Sequence, residues 1–225
     1  MNGQRPLLGI IGGTGQLGAA LARRFAKAGY RVILGSRELE RARRSAAALH
    51  ALTGCEIEAA TNVSTAERAA IVIVTVPFAA QRDTLTEIRT AAANKIVVDT
   101  TVPLVPPKVM RVQLPPEGSA ALRAQQLLGE SVQVVSAFHN VPAHRLATDE
   151  PVDCDVLIFG DSKEARAQVV RLAEDAGLRG IHGGGLANSA AAEALTSVLI
   201  FINRAYAVDG AGLRITGKLA IPAVA

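Results

Sequence analysis

Gly13, Gly15 and Gly18 stand in G-x-G-x-x-G order within the stretch "IIGGTGQLG". They follow an apolar run and open a helical pattern, and that context gives the spacing its meaning. Such a loop needs a tight turn, a place where a pyrophosphate can approach the backbone, and close contact between helix and strand, each of which requires a residue without a side chain. Gly13 is read as the turn, Gly15 as the point of approach and Gly18 as the contact. Amides of Gln16 and Leu17, at the start of the helix, would then face the phosphates. The alternative is an ordinary glycine-rich strand-to-helix turn.

A second stretch, "VILGSRELER" from Val32 to Arg41, decides which dinucleotide fits. At the end of this strand an acid would hold both ribose hydroxyls of NAD and repel a 2′-phosphate. Here Ser36 can donate to a phosphate, Arg37 can clamp it with a planar fork, and Arg41 adds charge one turn later. The set reads as a selector for NADP(H), against the alternative of two solvated surface arginines.

The elements that position these residues alternate along the chain. Strand patterns at Leu7–Gly12, Arg31–Gly35, Glu56–Ala60, Ala69–Val76, Lys95–Thr101, Val132–Phe138, Val152–Asp161 and Leu178–Gly184 are separated by helical patterns. The helices are expected at Gly18–Gly29, Glu38–Leu52, Phe78–Ala92, Ser119–Gly129 and Lys163–Gly177. This order specifies an α/β fold, a doubly wound (Rossmann) and mainly parallel sheet with a small C-terminal helical segment. The triplet Gly183-Gly184-Gly185 suggests a boundary, with an NADP-binding domain over residues 1–183 and a small helical domain over 184–225. In the latter, about Asn188 to Tyr206 form one long helix that is apolar nearly all round, through Leu195, Val198, Leu199, Phe201 and Ile202. Its own sheet can cover only one face, so a homodimer is expected. The apolar core Ala194–Ile202 is too short to span a bilayer.

Composition narrows the partners. Aromatic residues are only 3% of the 225, with no Trp, which disfavours a single-stranded nucleic-acid binder, and no dense basic run supports a DNA face. The formal charge of +4 suits an anionic small molecule instead. Cys55 and Cys154 are expected as reduced thiols in a cytoplasmic protein, with no metal-ligand spacing. Met1 to Pro6 does not read as a leader. No serine–histidine–acid set, metal cluster or lysine nucleophile emerges, so no catalytic side chain is assigned. Asp99, at a strand end, has no assigned role, and Asp161 is expected to cap the helix at Lys163.

The segments "GGTGQLG", "GSRELER", "TVPF", "VVSAFHNVPA" and "GAGLRITGKL" together resemble the NADPH-dependent reductases of coenzyme F420, an 8-hydroxy-5-deazaflavin, over nearly the full chain. The resemblance implies hydride transfer between NADP(H) and coenzyme F420. It implies that Thr14, Gly15, Gln16 and Leu17 cradle the pyrophosphate and that Ser36, Arg37 and Arg41 hold the 2′-phosphate. Phe78 and Ala143 would flank the nicotinamide, His139, Asn140, Val141 and Pro142 would line the deazaflavin pocket, and a backbone group near Leu213 would touch the deazaflavin. Asn140 stands where the family often has a small β-branched hydroxyl residue. His139 is read as a positioning donor or as a structural histidine, since exchange between two ring cofactors needs faces and distance rather than an acid. Arg111, Arg123, Arg145 and Arg214 are candidates to meet the anionic tail of F420. Rival readings are an NADPH-dependent reductase of a flavin, imine or ketone, and a non-catalytic NADPH-sensing module.

Overall fold

The computed structural model describes residues 5–220. Residues 1–4 and 221–225, with the start of the stretch read as carrying no leader and the end of the tail, lie outside the described residues. The strands β1 (Leu8–Ile11), β2 (Val32–Ser36), β3 (Ile57–Thr61), β4 (Ile71–Val74), β5 (Ile96–Asp99), β6 (Gln133–Ser136), β7 (Asp155–Phe159) and β8 (Arg179–Gly184) form one sheet. Its order is β3-β2-β1-β4-β5-β6-β7-β8. Neighbours run parallel except β6 and β7, which are antiparallel.

The helices are α1 (Gln16–Lys27), α2 (Leu39–Thr53), α3 (Asn62–Arg68), α4 (Phe78–Ile88), α5 (Ala120–Leu128), α6 (Ala143–Leu146), α7 (Lys163–Asp175) and α8 (Ser189–Tyr206). The central strands are continuous apolar runs because helices cover both faces, and successive residues serve opposite cores. Ile10 packs with Leu21 and Phe25 of α1, whereas Ile11 packs with Ala66 of α3 and Leu85 of α4. After β1 the chain builds outward through β2 and β3, then returns to place β4 on the other side of β1. The loops after β1 and β4 therefore open on the crevice where such sheets bind ligands.

Local differences from the sequence reading have physical causes. α1 begins at Gln16, ahead of Gly18. Neither α3 nor α6 was expected; they are too short for a helical period to show. α3 is started by Thr61, whose hydroxyl accepts from the Ser64 amide at 3.4 Å. Asp161 does not cap α7. Ser162 does, accepting from Ala165 N at 3.1 Å, while Asp161 accepts from Leu186 N at 2.9 Å and holds the entry to α8. The break placed after Gly183 falls within β8. A Cβ on Gly183 would lie 2.2 Å from the Phe159 ring, so this glycine serves strand packing.

α8 is turned opposite to an ordinary surface helix. Its buried residues are small or polar, namely Ser189, Ala192, Glu193 and Ser197, with Leu199. Val198 and Phe201 are exposed at 42% and 54%. The continuous stretch Leu186–Tyr206 is long and apolar enough to cross a membrane by length and composition, longer than the Ala194–Ile202 core suggested. Its inner face is nevertheless fastened by hydrogen bonds to the sheet region, as the site shows.

Candidate functional site

The glycine loop makes its turn one residue earlier than its spacing implied. Gly12, not Gly13, has a positive φ of +76°, and the Gly15 amide closes the turn onto Gly12 O at 2.9 Å. Gly13 serves close packing instead, since a Cβ there would lie 2.6 Å from Leu34 Cδ2. Gly18 lies against the loop and β4's exit, and its Cβ would meet Thr75 Oγ1 at 2.5 Å. At Gly15 the only near atom among the described residues is Gly12 O at 3.4 Å, so these leave the space above it open. Thr14 and Leu17 are half-buried, and Gly15 and Gln16 exposed. No side chain caps α1 and no acid stands in its first turn. Among the described residues the amides of Gln16 and Leu17 donate to nothing, which leaves the positive end of the helix dipole for an anion. These features fit a pyrophosphate.

At the end of β2, Ser36 is buried and its Oγ accepts from Glu38 N at 3.2 Å, which leaves its hydroxyl proton free to donate. Arg37 and Arg41 are exposed, and among the described residues neither is in an ion pair. The acid nearest them in sequence on α2, Glu40, pairs with Arg43. Two uncompensated guanidinium groups thus stand beside a buried hydroxyl at the strand's carboxyl end.

Across the crevice, Phe78 opens α4 directly after Pro77. Arg123 of α5 stacks over its ring at 3.9 Å from the centroid and donates to Phe78 O at 3.1 Å. Arg123 Nε also donates to Gln81 Oε1 at 2.8 Å, and Gln81 Nε2 donates to Asp99 Oδ2 at 2.6 Å. Thr101 Oγ1 donates to Asp99 Oδ1 at 2.6 Å. Asp99 is fully buried, and burial pushes its carboxyl up to about 6 against the pull of these donors. Asp99, which the sequence left without a role, therefore orders the ends of β5 and α4.

The segment after β6 turns sharply, and Phe138 adopts a positive φ of 65°, unusual for a large side chain. His139 is buried, with Nε2 3.0 Å from Ser136 Oγ, and burial lowers its imidazole to about 4. It is neutral at ordinary pH. Asn140 Nδ2 donates to Ala192 O at 2.9 Å and Thr196 Oγ1 at 3.0 Å, so its amide is committed to α8. Thr196 in turn donates to His139 O at 3.1 Å. Val141 is buried, Pro142 precedes α6 and Ala143 is its first residue, the latter two half-buried. Leu213 O accepts from Asp155 N at 2.7 Å, which engages that carbonyl with β7. A cavity of about 250 Å³ lies between this turn and the tail, lined by Pro142, Arg145, Cys154, Gly210 and Gly212.

Of the four arginines considered for the F420 tail, three are already occupied. Arg123 holds Phe78 and Gln81, Arg145 donates to Asp209 O, and Arg214 pairs with Asp153. Arg111 is exposed and unpaired among the described residues, while its carbonyl accepts from Ser197 of α8 at 3.3 Å.

Comparison with known proteins then decides the family. Residues 7–103 match the family described as NADP oxidoreductase, coenzyme F420-dependent. An F420-dependent NADP reductase of Methanothermobacter thermautotrophicus (strain Delta H) is 41% identical over 218 residues, covering 93% of this chain and 94% of the relative. The chain belongs to the coenzyme F420-dependent NADP oxidoreductase family. A second reductase of that name, from Methanocaldococcus jannaschii, is 39% identical over 220 residues, covering 93% of this chain and 97% of the relative. Among solved structures, a protein of Arthrobacter sp. FB24 provisionally assigned as an F420-dependent NADP reductase superposes with a TM-score of 0.78. Its identity is 20%, with 95% of this chain and 100% of that chain covered, so it speaks to the fold. The family match at 7–103 spans the glycine loop, the end of β2 and Phe78. The turn from His139 to Ala143 and the tail lie beyond it.

Several residues that shape this member's site gave no sequence signal. Glu193 of α8 accepts from the Ala120 and Ala121 amides at 2.6 and 3.1 Å, capping α5 from a distant helix. Arg23 and Arg24 of α1 clamp the residues after α6. Arg23, 7% exposed, donates to Thr148 O at 3.0 Å, and Arg24 donates to Leu146 O at 3.0 Å and Glu150 O at 2.8 Å. Each contact joins residues more than 70 positions apart, which no local pattern reports.

Proposed function

We propose that the chain is an oxidoreductase that transfers a hydride between NADP(H) and coenzyme F420, as a cytoplasmic homodimer. The observation that carries the reading is the 41% identity, over 93% of the chain, to an F420-dependent NADP reductase. The geometry agrees with it. Gly13, Thr14, Gly15, Gln16, Leu17 and Gly18 would receive the pyrophosphate on an open loop at an uncapped helix start. Ser36, Arg37 and Arg41 would hold the 2′-phosphate. Phe78 and Ala143 would flank the nicotinamide.

The hydride passes between nicotinamide C4 and deazaflavin C5, and the protein's part is to orient the two rings and exclude water. His139, held by Ser136 through Nε2, keeps Nδ1 without a partner among the described residues and would present it to the deazaflavin. Val141 and Pro142 would form the adjoining wall. Asn140 supports that wall from behind, since its side chain faces α8. The Leu213 carbonyl, which already accepts from Asp155 N, supports a positioning role for the tail backbone rather than a direct contact through that atom.

The division into residues 1–183 and 184–225 is retained as a functional one: the sheet binds NADP(H), and the C-terminal helical segment closes the deazaflavin site and dimerises. The outward apolar face of α8, with Val198 and Phe201 exposed, supports the dimer. Oxidised F420 is mixed with NADPH and purified protein, and the deazaflavin absorbance is followed. Bleaching supports the reading. NADPH binding without bleaching, or with reduction of a flavin, imine or ketone instead, overturns it.

A further inference from the structure

Arg123 is placed in an unusual way for a half-buried cation. Its guanidinium lies 3.9 Å from the centroid of the Phe78 ring. Its hydrogen bonds go to neutral oxygens, Phe78 O and Gln81 Oε1. Among the described residues it forms no ion pair, the nearby Glu117 being 3.7 Å from Arg82 instead. Gln81 is itself fixed by Asp99 and by Ala120 O at 3.0 Å, and both Gln81 and Asp99 are fully buried. A positive charge with no direct ion-pair partner among the described residues, though the carboxyl groups of Glu117, Asp99 and Glu193 act on it from a distance, is therefore held against one face of an aromatic ring.

A ring so occupied can meet a ligand only with its other face or its edge. Its quadrupole is also already spent on a cation, so it attracts a second cation weakly. The oxidised nicotinamide ring is cationic and the reduced ring is neutral, so the arrangement discriminates between them.

We propose that Arg123 is a positioning residue that, through Phe78, sets the site's preference for reduced over oxidised NADP. The inference rests on the placement of Phe78 beside the nicotinamide. By stacking, Arg123 fixes the ring's orientation. By its charge, it lowers the affinity for the nicotinamide cation without touching the pyrophosphate or 2′-phosphate contacts.

The test uses the full chain with Arg123→Met, Arg123→Lys and Phe78→Leu. Dissociation constants for NADPH and NADP+ are measured by titration, with adenosine 2′,5′-bisphosphate as a probe that lacks the nicotinamide. Arg123→Met should tighten NADP+ relative to NADPH by about three- to ten-fold, the range of a cation–π contact in a half-exposed setting. Arg123→Lys should keep most of the wild-type ratio, because the charge remains. Affinity for the bisphosphate should stay unchanged in both. An unchanged NADP+ to NADPH ratio in Arg123→Met, or a parallel loss of all three ligands, overturns the proposal. Phe78→Leu separates the causes. If it shifts the ratio while Arg123→Met does not, the arginine's role is wrong and Phe78 stands. If it leaves the ratio alone, the placement of Phe78 has failed and the proposal falls with it. Thermal melting of each variant shows whether the fold is kept, and Arg123→Gln, which also removes the charge and should shift the ratio in the same direction, replaces the methionine variant if that does not fold.

Discussion

Replacing Arg37 with Asp and Arg41 with Ala should convert a site that prefers NADPH into one that does not distinguish it from NADH. Both arginines are exposed and without ion pairs among the described residues, so the change strands no buried partner and should leave the melting temperature near that of wild type. A charge-assisted bond from the Arg37 fork to a phosphate contributes about 1.5–3 kcal/mol. Arg41, solvated and one turn away, adds roughly 0.2–1 kcal/mol. The new carboxylate at position 37, about 5 Å from a phosphate of charge near −2, adds roughly 1 kcal/mol of repulsion in a water-like dielectric after screening. Together these give a loss of about 3–5 kcal/mol, or roughly a hundred- to several-thousand-fold in NADPH affinity. Ser36 remains, and can still meet a ribose hydroxyl. The assay is fluorescence titration of NADPH and NADH against both proteins at fixed ionic strength. NADH affinity should hold or improve. NADPH affinity within two-fold of wild type, or an equal fall for both ligands, would refute the selector.

Three more outcomes follow from the geometry. Gly15→Val should remove NADPH binding with circular dichroism intact, because the described residues leave the space above Gly15 open and a branched side chain would occupy the pyrophosphate's place; retained affinity would show the loop is misassigned. Val198→Glu with Phe201→Glu should give a monomer in sedimentation at micromolar concentration while NADPH still binds, since both side chains face outward; Leu199, buried within its own chain, is the wrong probe, and a monomeric wild type would end the dimer proposal. Stability should fall as pH rises from about 6.5 to 8 and then level off. Burial raises the Glu193 carboxyl from 4.5 to about 8, so the folded chain keeps a proton that the unfolded chain has released, and the sign of the linkage is loss of stability with rising pH. Asp99, raised to about 6, acts in the same direction at lower pH, and His139, lowered to about 4, acts in the opposite one, so the window above 6.5 isolates Glu193 among these three. Glu193→Gln, which cannot titrate, should flatten that slope in urea melts at several pH values; an unaltered slope would assign it to other groups.

Much of the fold is legible in the sequence because its signals are local. Runs such as Ile71–Val74 are strands buried on both faces, and the loop before α1 has the spacing of a phosphate cradle. The arginines after β2 could be read because their meaning depends on the strand they follow. The rest depends on contacts between distant segments. Gly12 takes the left-handed turn while Gly13 packs under Leu34, a residue distant in sequence, and the spacing is the same either way. Asp99 could be seen at a strand end, but its partner Gln81, and Arg123 which in turn holds Gln81, carry no motif. α8 reads as an apolar helix, and nothing in its pattern says that Ser189, Glu193 and Ser197 turn inward while Phe201 turns out. Asp161 and Ser162 are both good caps by type, and only the path of the chain into α8 gives Asp161 another amide to hold.

The central claim is hydride transfer between the two cofactors, and its most direct measurement is isotopic. NADPH deuterated at nicotinamide C4 on the transferred face is mixed with oxidised F420 and the purified protein, and the reduced F420 is analysed by mass spectrometry. Direct transfer predicts one deuterium retained at deazaflavin C5, with bleaching of the deazaflavin absorbance at the same rate as NADPH is consumed. NADPH consumed without bleaching, or reduced F420 carrying no deuterium, would contradict the account.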